Sequence, residues 1–283
     1  MALNRPVFFK RLGSAIVFSI VMMVGLLWQQ WAFLLLVSAI IALCLRDYFR
    51  LMAPIAKDTS WPKWLMPVTI LASLLLLWLS GIKYNGAHAM ECWPVLLFIP
   101  ILLLLIGTLS KKTAWDAVIY ALGGMLYITL PMLLLYQFRM QTFVLPLALV
   151  LMLWMNDTMA YLVGSFIGRT PFSAISPKKT WEGTAGGALF TMAGAAIWGY
   201  YSKMYTITDW MILALCAATA GTAGDLLESK LKRMAGVKDS GTLMPGHGGA
   251  LDRFDSLLVA TPFAYCYFYC CMQQLPIQHL FDF

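Results

Sequence analysis

Runs of about twenty apolar residues, separated by short polar stretches, recur along almost the whole chain, and nothing else in the sequence restricts the fold as much. A typical run, FLLLVSAIIALCL at 33–45, has no charge and no turn signal. Of the 283 residues, 61% are hydrophobic and 12% charged, whereas an ordinary globular chain is about 25% charged. A soluble domain of this length cannot hide so much apolar side chain. The sequence therefore predicts an all-α, polytopic integral membrane protein with about nine transmembrane helices, each needing about 20 residues to cross the hydrocarbon. The expected spans are near 12–28, 31–45, 64–80, 94–109, 117–136, 143–167, 184–201, 210–228 and 254–272. The first two are separated only by Gln29 and Gln30. No small-residue cleavage pattern follows Arg5, Lys10 and Arg11, so the first segment is expected to stay in the mature protein.

Orientation follows from the basic residues. With nine spans, all 20 Lys and Arg except Lys83, Arg139 and Lys203 fall on one side. By the positive-inside rule that side is cytoplasmic and the C-terminus faces out; a bacterial inner membrane is the expected location. The net charge of +7 then rings one membrane face, where anionic lipid is the acidic partner, and carries no nucleic-acid signal. Cys44, Cys92, Cys216, Cys266, Cys270 and Cys271 lie mostly in apolar runs without metal-binding spacing, and no disulfide framework is implied. A single integral domain is expected, residues 1–140 as helical scaffold and 141–283 as catalytic half.

The chemistry concentrates between Gly221 and Asp255. Asp157 and Asp225 interrupt apolar runs, where a carboxylate facing lipid would cost several kcal/mol; they must face a polar cavity or bond to neighbours such as Asn156, Thr158 or Ser229. On a helix, Asp225, Glu228, Ser229 and Lys232 share one face, and Asp252 and Asp255 share another. Two acidic faces meeting across a Gly-rich turn suit a hard divalent ion such as Mg²⁺ that leaves positions for substrate phosphates. His247, with no second His or Cys nearby, is weak evidence for zinc. Lys232, Arg233 and Lys238 precede the loop KDSGTLMPGHGGALDRFD, in which Gly241, Gly246, Gly248 and Gly249 let backbone N–H groups approach an anion. Together these features describe a nucleoside triphosphate or pyrophosphate site. A second polar segment, SPKKTWEG at 176–183, has two readings: a helix start capped by Thr180 with Glu182 nearby, or a set in which Lys178, Lys179 and Thr180 contact a second phosphate-bearing group.

Ser229-x-Leu231-Lys232-Arg233, then Lys238-Asp239-x-Gly241, then Pro245-x-His247-Gly248-Gly249-x-x-Asp252-Arg253-Phe254-Asp255 resembles the long signature of the phosphatidate cytidylyltransferases, the CDP-diacylglycerol synthases. SPKKTWEG and NDTMAYLVGSFIG also look like that family, so the resemblance runs from about Leu151 to the end. Met244 and Ala250 depart from it, Met244 where Leu, Ile or Phe is usual and Ala250 where a larger aliphatic is usual. The resemblance implies conversion of CTP and phosphatidic acid to CDP-diacylglycerol and pyrophosphate, with Mg²⁺, a second monovalent cation such as K⁺, and a homodimer. It implies metal-site roles for Asp225 and Asp252, with Asp239 and Asp255 as second choices. Lys232, Lys238 and Arg253 would join Asp225 and Asp252 in catalysis. Ser229, Arg233, His247, Gly248 and Gly249 would bind the nucleotide, and Lys178, Lys179 and Thr180 the lipid phosphate. Small residues such as Gly186 and Gly187 suit either a dimer interface or packing within one chain. Another CTP-dependent lipid kinase or phosphotransferase is the alternative, although the DGxxAR motif of CDP-alcohol phosphotransferases is absent. A cation transporter would leave the phosphate-like loop unexplained and would not crowd its charges at one membrane face.

Overall fold

The computed structural model describes residues 5–56, 61–81, 100–105, 115–243 and 248–272. Its elements are α1 Arg5–Leu27, α2 Gln30–Ile55, α3 Leu65–Gly81, α4 Trp115–Gly124, α5 Leu130–Gln141, α6 Val144–Ile167, α7 Trp181–Ser202, α8 Ile207–Met234 and α9 Leu251–Tyr267. Short π-helical turns at Met125–Thr129 and Phe268–Met272 join α4 to α5 and extend α9. No strand occurs among the described residues; Pro171 and Thr180 form one isolated bridge. Four helical stretches, Gln30–Ile55, Trp115–Gln141, Val144–Ile167 and Ile207–Met234, are long and apolar enough to cross a membrane. This is an all-α integral membrane protein. The expected span at 94–109 lies largely outside the described residues.

The helix ends have local causes. Gln29, extended at φ −95° and ψ 162°, breaks α1 from α2, its side chain accepts a hydrogen bond from Trp31 Nε1 at 2.7 Å, and Trp28 and Trp31 lie ring to ring at 5.6 Å. Such aromatics favour the membrane interface. Pro131, second residue of α5, has no N–H for the carbonyl of Tyr127 and its ring crowds that group; the wider π turn ending at Thr129 absorbs the misfit. One expectation needs revision in detail: α2 does not end near Leu45 but runs on to Ile55, so Arg46, Asp47 and Arg50 are helical.

The chain forms two compact units, Met1–Gln137 with Leu231–Arg253, and Phe138–Lys230 with Phe254–Phe283. In the first, α2 is the central helix. Tyr48 on it lies against Gly124, where a Cβ would stand 2.9 Å from its ring, and its hydroxyl donates to Tyr120 O. Thr129 Oγ1 donates to Ser73 Oγ at 2.8 Å in a fully buried link to α3. In the second unit, α6 and α7 lie side by side with almost no side chain between them: a Cβ on Gly183 would meet Ala160 O at 2.7 Å, and one on Gly187 would meet Asn156 O at 2.8 Å. Without a hydrophobic drive between helices in lipid, close backbone approach of this kind supplies the packing energy. Gly186 and Gly187 therefore face α6 of the same chain.

Candidate active site

In the second unit, three acids converge. Asp225 and Glu228 from α8 and Asp255 from α9 bring carboxylate oxygens within 4.8 Å of one another. Glu228 is fully buried and Asp255 nearly so. Backbone proximity makes this possible: Gly224 touches the carbonyl of Asp255 where any side chain would stand. Three carboxylates so close repel unless cations balance them, and oxygen-only donors favour a hard ion. Lys179 forms an ion pair with Asp225, and Ser229 Oγ donates to Asp225 Oδ1 at 3.3 Å. The chemistry of this donor set fits Mg²⁺. Helix periodicity puts Glu228 on the acidic face of Asp225, although the family resemblance names only Asp225, Asp252, Asp239 and Asp255 for the metal.

Asp225 also lines a polar cavity of about 600 Å³, with Asn156, Asp157, Lys178, Lys179 and Thr180 among its walls. The intramembrane acid Asp157 therefore meets a polar cavity. Asn156 is 2% exposed, and among the described residues its Oδ1 accepts no hydrogen bond. Further along α6 and α7, Leu151, Met155, Gly194 and Trp198 line an apolar slot of about 160 Å³.

The cap reading of SPKKTWEG holds. Thr180 caps α7, its Oγ1 accepting from Gly183 N at 3.1 Å, while Lys178 and Lys179 face the cavity. Glu182 accepts hydrogen bonds from Arg169 N and Thr170 N, both at 3.2 Å. Its own backbone N–H first, then the Thr170 hydroxyl and these amides, hold its carboxyl down at about 2.

In the first unit, the signature loop is built around Asp252. Its Oδ1 accepts from Lys232 Nζ at 2.7 Å. Its Oδ2 accepts from Ser240 N at 2.9 Å, Ser240 Oγ at 2.8 Å and Gly249 N at 2.6 Å. Gly248, at φ +83°, presses against the same carboxylate. The α8 end is turned by Gly236 at φ +71°, with Val237 N bonding back to Lys232 O at 2.9 Å in the manner of a glycine C-cap. Arg233 donates to Val237 O at 3.4 Å. Arg233, Lys238, Asp239 and Arg253 are all exposed. His247 lies outside the described residues. Ala250, the departure from the signature, is fully buried.

A sequence profile described as the cytidylyltransferase family matches residues 9–271. The chain belongs to the cytidylyltransferase family. Within this family it is 36% identical over 207 residues to the phosphatidate cytidylyltransferase of Bacillus subtilis, covering 69% of this chain and 76% of that one. It is 41% identical over 125 residues to the phosphatidate cytidylyltransferase of Haemophilus influenzae, 42% of this chain and 43% of that one. The chloroplastic phosphatidate cytidylyltransferase 4 of Arabidopsis thaliana is 45% identical over 113 residues, 40% of this chain and 29% of that one. A family defined by cytidylyl transfer makes this chain a nucleotidyltransferase and fits a site made of acids, cations and amides.

Proposed function

We infer that the chain transfers a cytidylyl group from CTP to phosphatidic acid, giving CDP-diacylglycerol and pyrophosphate. The observation that carries this reading is the cavity bounded by Asp225, Lys178 and Lys179, whose α6 wall at Asn156 and Asp157 runs on into Met152 and Met155 of the apolar slot between α6 and α7. A lipid phosphate and its acyl chain need that sequence of surfaces, and a soluble acceptor does not.

An ionised phosphate oxygen of the lipid attacks the α-phosphorus of CTP, one P–O bond forms, and the bond to the pyrophosphate oxygen breaks. No enzyme nucleophile is required, so catalysis is positioning and charge neutralisation. Lys178 and Lys179 hold the lipid phosphate, with Thr180 fixing the turn that presents them. Lys232, Arg233, Lys238 and Arg253 neutralise the triphosphate. His247 and the backbone at Gly248 contact phosphate or the cytidine, while the Gly249 amide, committed to Asp252, shapes the loop. Asp225, Glu228 and Asp255 would hold Mg²⁺, which when bound stabilises charge on the leaving pyrophosphate. Asp252 and Asp239 are the further acids of the proposed metal region; the hydrogen bonds on Asp252 also give it the task of shaping the loop. K⁺ as a second ion belongs to the same proposal. The site faces the cytoplasm of an inner membrane, as the one-sided distribution of Lys and Arg supports. Assembly as a homodimer would have to use surfaces other than Gly186 and Gly187.

The test is transfer from α-labelled CTP to phosphatidate by purified protein in detergent, with and without Mg²⁺, beside folded Asp225→Asn and Asp252→Asn variants. Label in CDP-diacylglycerol, dependent on Mg²⁺ and lost in both variants, is expected. CTP binding without lipid labelling would sink the lipid assignment; label appearing on lipid from the γ-position alone would make the chain a kinase.

A further inference from the structure

α2 carries a carboxylate that none of the chemistry above uses. Asp47 is 0% exposed, although a buried charge is costly unless paired and hydrogen-bonded. Its pairing is divided between two directions. Toward water, Arg46 Nη2 lies 3.2 Å and Arg50 Nη1 3.9 Å from its Oδ1. Inward, its Oδ2 accepts from Ala250 N at 2.7 Å, across 203 residues of chain.

The loop is shaped to admit this side chain. At Gly241 the three nearest heavy atoms to an added Cβ all belong to the Asp47 carboxyl, the closest at 2.8 Å, and at Gly249 an added Cβ would meet Asp47 Oδ2 at 2.5 Å. Two glycines that the sequence assigns to phosphate approach thus make room for a carboxylate of the protein itself. Successive amides at the start of α9 are divided between two acids: Gly249 N donates to Asp252 and Ala250 N to Asp47. Negative charge is favoured at a helix N-terminus, and Lys232 on one acid and the arginines on the other balance the pair.

We propose that Asp47 is a positioning residue for nucleotide handling: it clamps Gly241, Gly249 and Ala250 so that the Lys232–Asp252 pair and Arg253 keep a fixed register. The scaffold half then sets the geometry of the signature loop. This rests on the cytidylyl-transfer reading for its kinetic consequence, and on geometry alone for the clamp.

Full-length Asp47→Ala and Asp47→Asn proteins in detergent test it by hydrogen exchange and by kinetics with each substrate varied. In Asp47→Ala, exchange of the Ala250 amide should rise about tenfold or more, the cost of losing a charge-assisted bond. The kcat/KM for CTP should fall by a similar factor, with exchange in α6 and α7 unchanged. Asp47→Asn keeps an acceptor for Ala250 N and should recover part of both. Gly241→Ala combined with Asp47→Ala should cost less than the two single effects multiplied, since the obstructing carboxyl is gone. Wild-type exchange at Ala250 and wild-type CTP kinetics in both variants would overturn the proposal. So would a uniform rise in exchange along the chain with no rescue by asparagine, which would make Asp47 a fold element only. If the wild-type protein does not label phosphatidate, the function fails separately, and exchange at Ala250 still decides whether the clamp exists.

Discussion

Gly224 stands where α8 meets the backbone of α9. A methyl group there would touch Asp255 O and lie 3.1 Å from Asp255 C and Ser256 Cα, and backbone cannot rotate aside. Gly224→Ala should force the two helices apart, costing about 1–3 kcal/mol of stability as overpacking does. Because Asp255 would retreat from Asp225 and Glu228, the Mg²⁺ concentration for half-maximal activity should rise severalfold in a metal titration. An unchanged titration would remove Asp255 from the ligand set. Gly13→Ala, with nothing within 4 Å of the new methyl, is the control and should be neutral to slightly stabilising. Glu182 supplies the pH counterpart. Its folded carboxyl sits at about 2 against an ordinary 4.5, so its bonds to Arg169 and Thr170 contribute fully above about 4.5 and are lost as pH falls through about 2. The Thr170 amide should therefore stay protected at pH 4 in the wild type and lose protection at every pH in Glu182→Ala; a wild-type carbon resonance of Glu182 titrating near 4.5 would contradict this.

Between helices, the contrast is between contacts that can yield and contacts that cannot. In the α6–α7 pair, a methyl on Gly183 would meet Ala160 O at 2.7 Å and Gly164 Cα at 3.0 Å, both backbone, whereas one on Gly194 would meet only the flexible end of Met155 at 3.0 Å. Gly183→Ala should lower the melting temperature in detergent and weaken lipid-phosphate binding by tilting the Lys178–Thr180 turn. Gly194→Ala should leave both near wild type, and equal damage from the two would mean the pair is looser than drawn. The helices themselves were legible in the sequence because hydrocarbon thickness fixes the length of an apolar run; α3, α6 and α7 begin and end close to where their runs do. Their partners were not, since a stripe such as Gly186 and Gly187 fits another chain as well as α6. Asp157 and Asp225 were legible as carboxylates too expensive to leave facing lipid in an apolar run. Glu228 was legible by its helix face, but its grouping with Asp255 from α9 was not. Asp47 carries no signal in the sequence, because its partner Ala250 lies 203 residues away and offers only a backbone amide.

At the scale of the whole chain, the one-sided distribution of basic residues and the Asp47–Ala250 hydrogen bond impose the same condition independently. The end of α2 and the start of α9 meet within one unit, so both must lie at one membrane face. Charge counting places both on the Lys- and Arg-rich side. On the proposed reading, CTP would be met from the cytoplasm, and the lipid phosphate would reach Lys178 and Lys179 laterally from the cytoplasmic leaflet without crossing the hydrocarbon. A cysteine-free background with single cysteines tests this arrangement. Lys203→Cys, at the end of α7 on the sparsely charged side, should react with a membrane-impermeant maleimide added to intact spheroplasts. Lys63→Cys, just before α3, should react only after the membrane is opened. Reversal of the two patterns would put the signature loop outside, away from its nucleotide, and would remove the topological support for cytidylyl transfer. Labelling of both from outside would mean that one of the five expected spans between them does not cross.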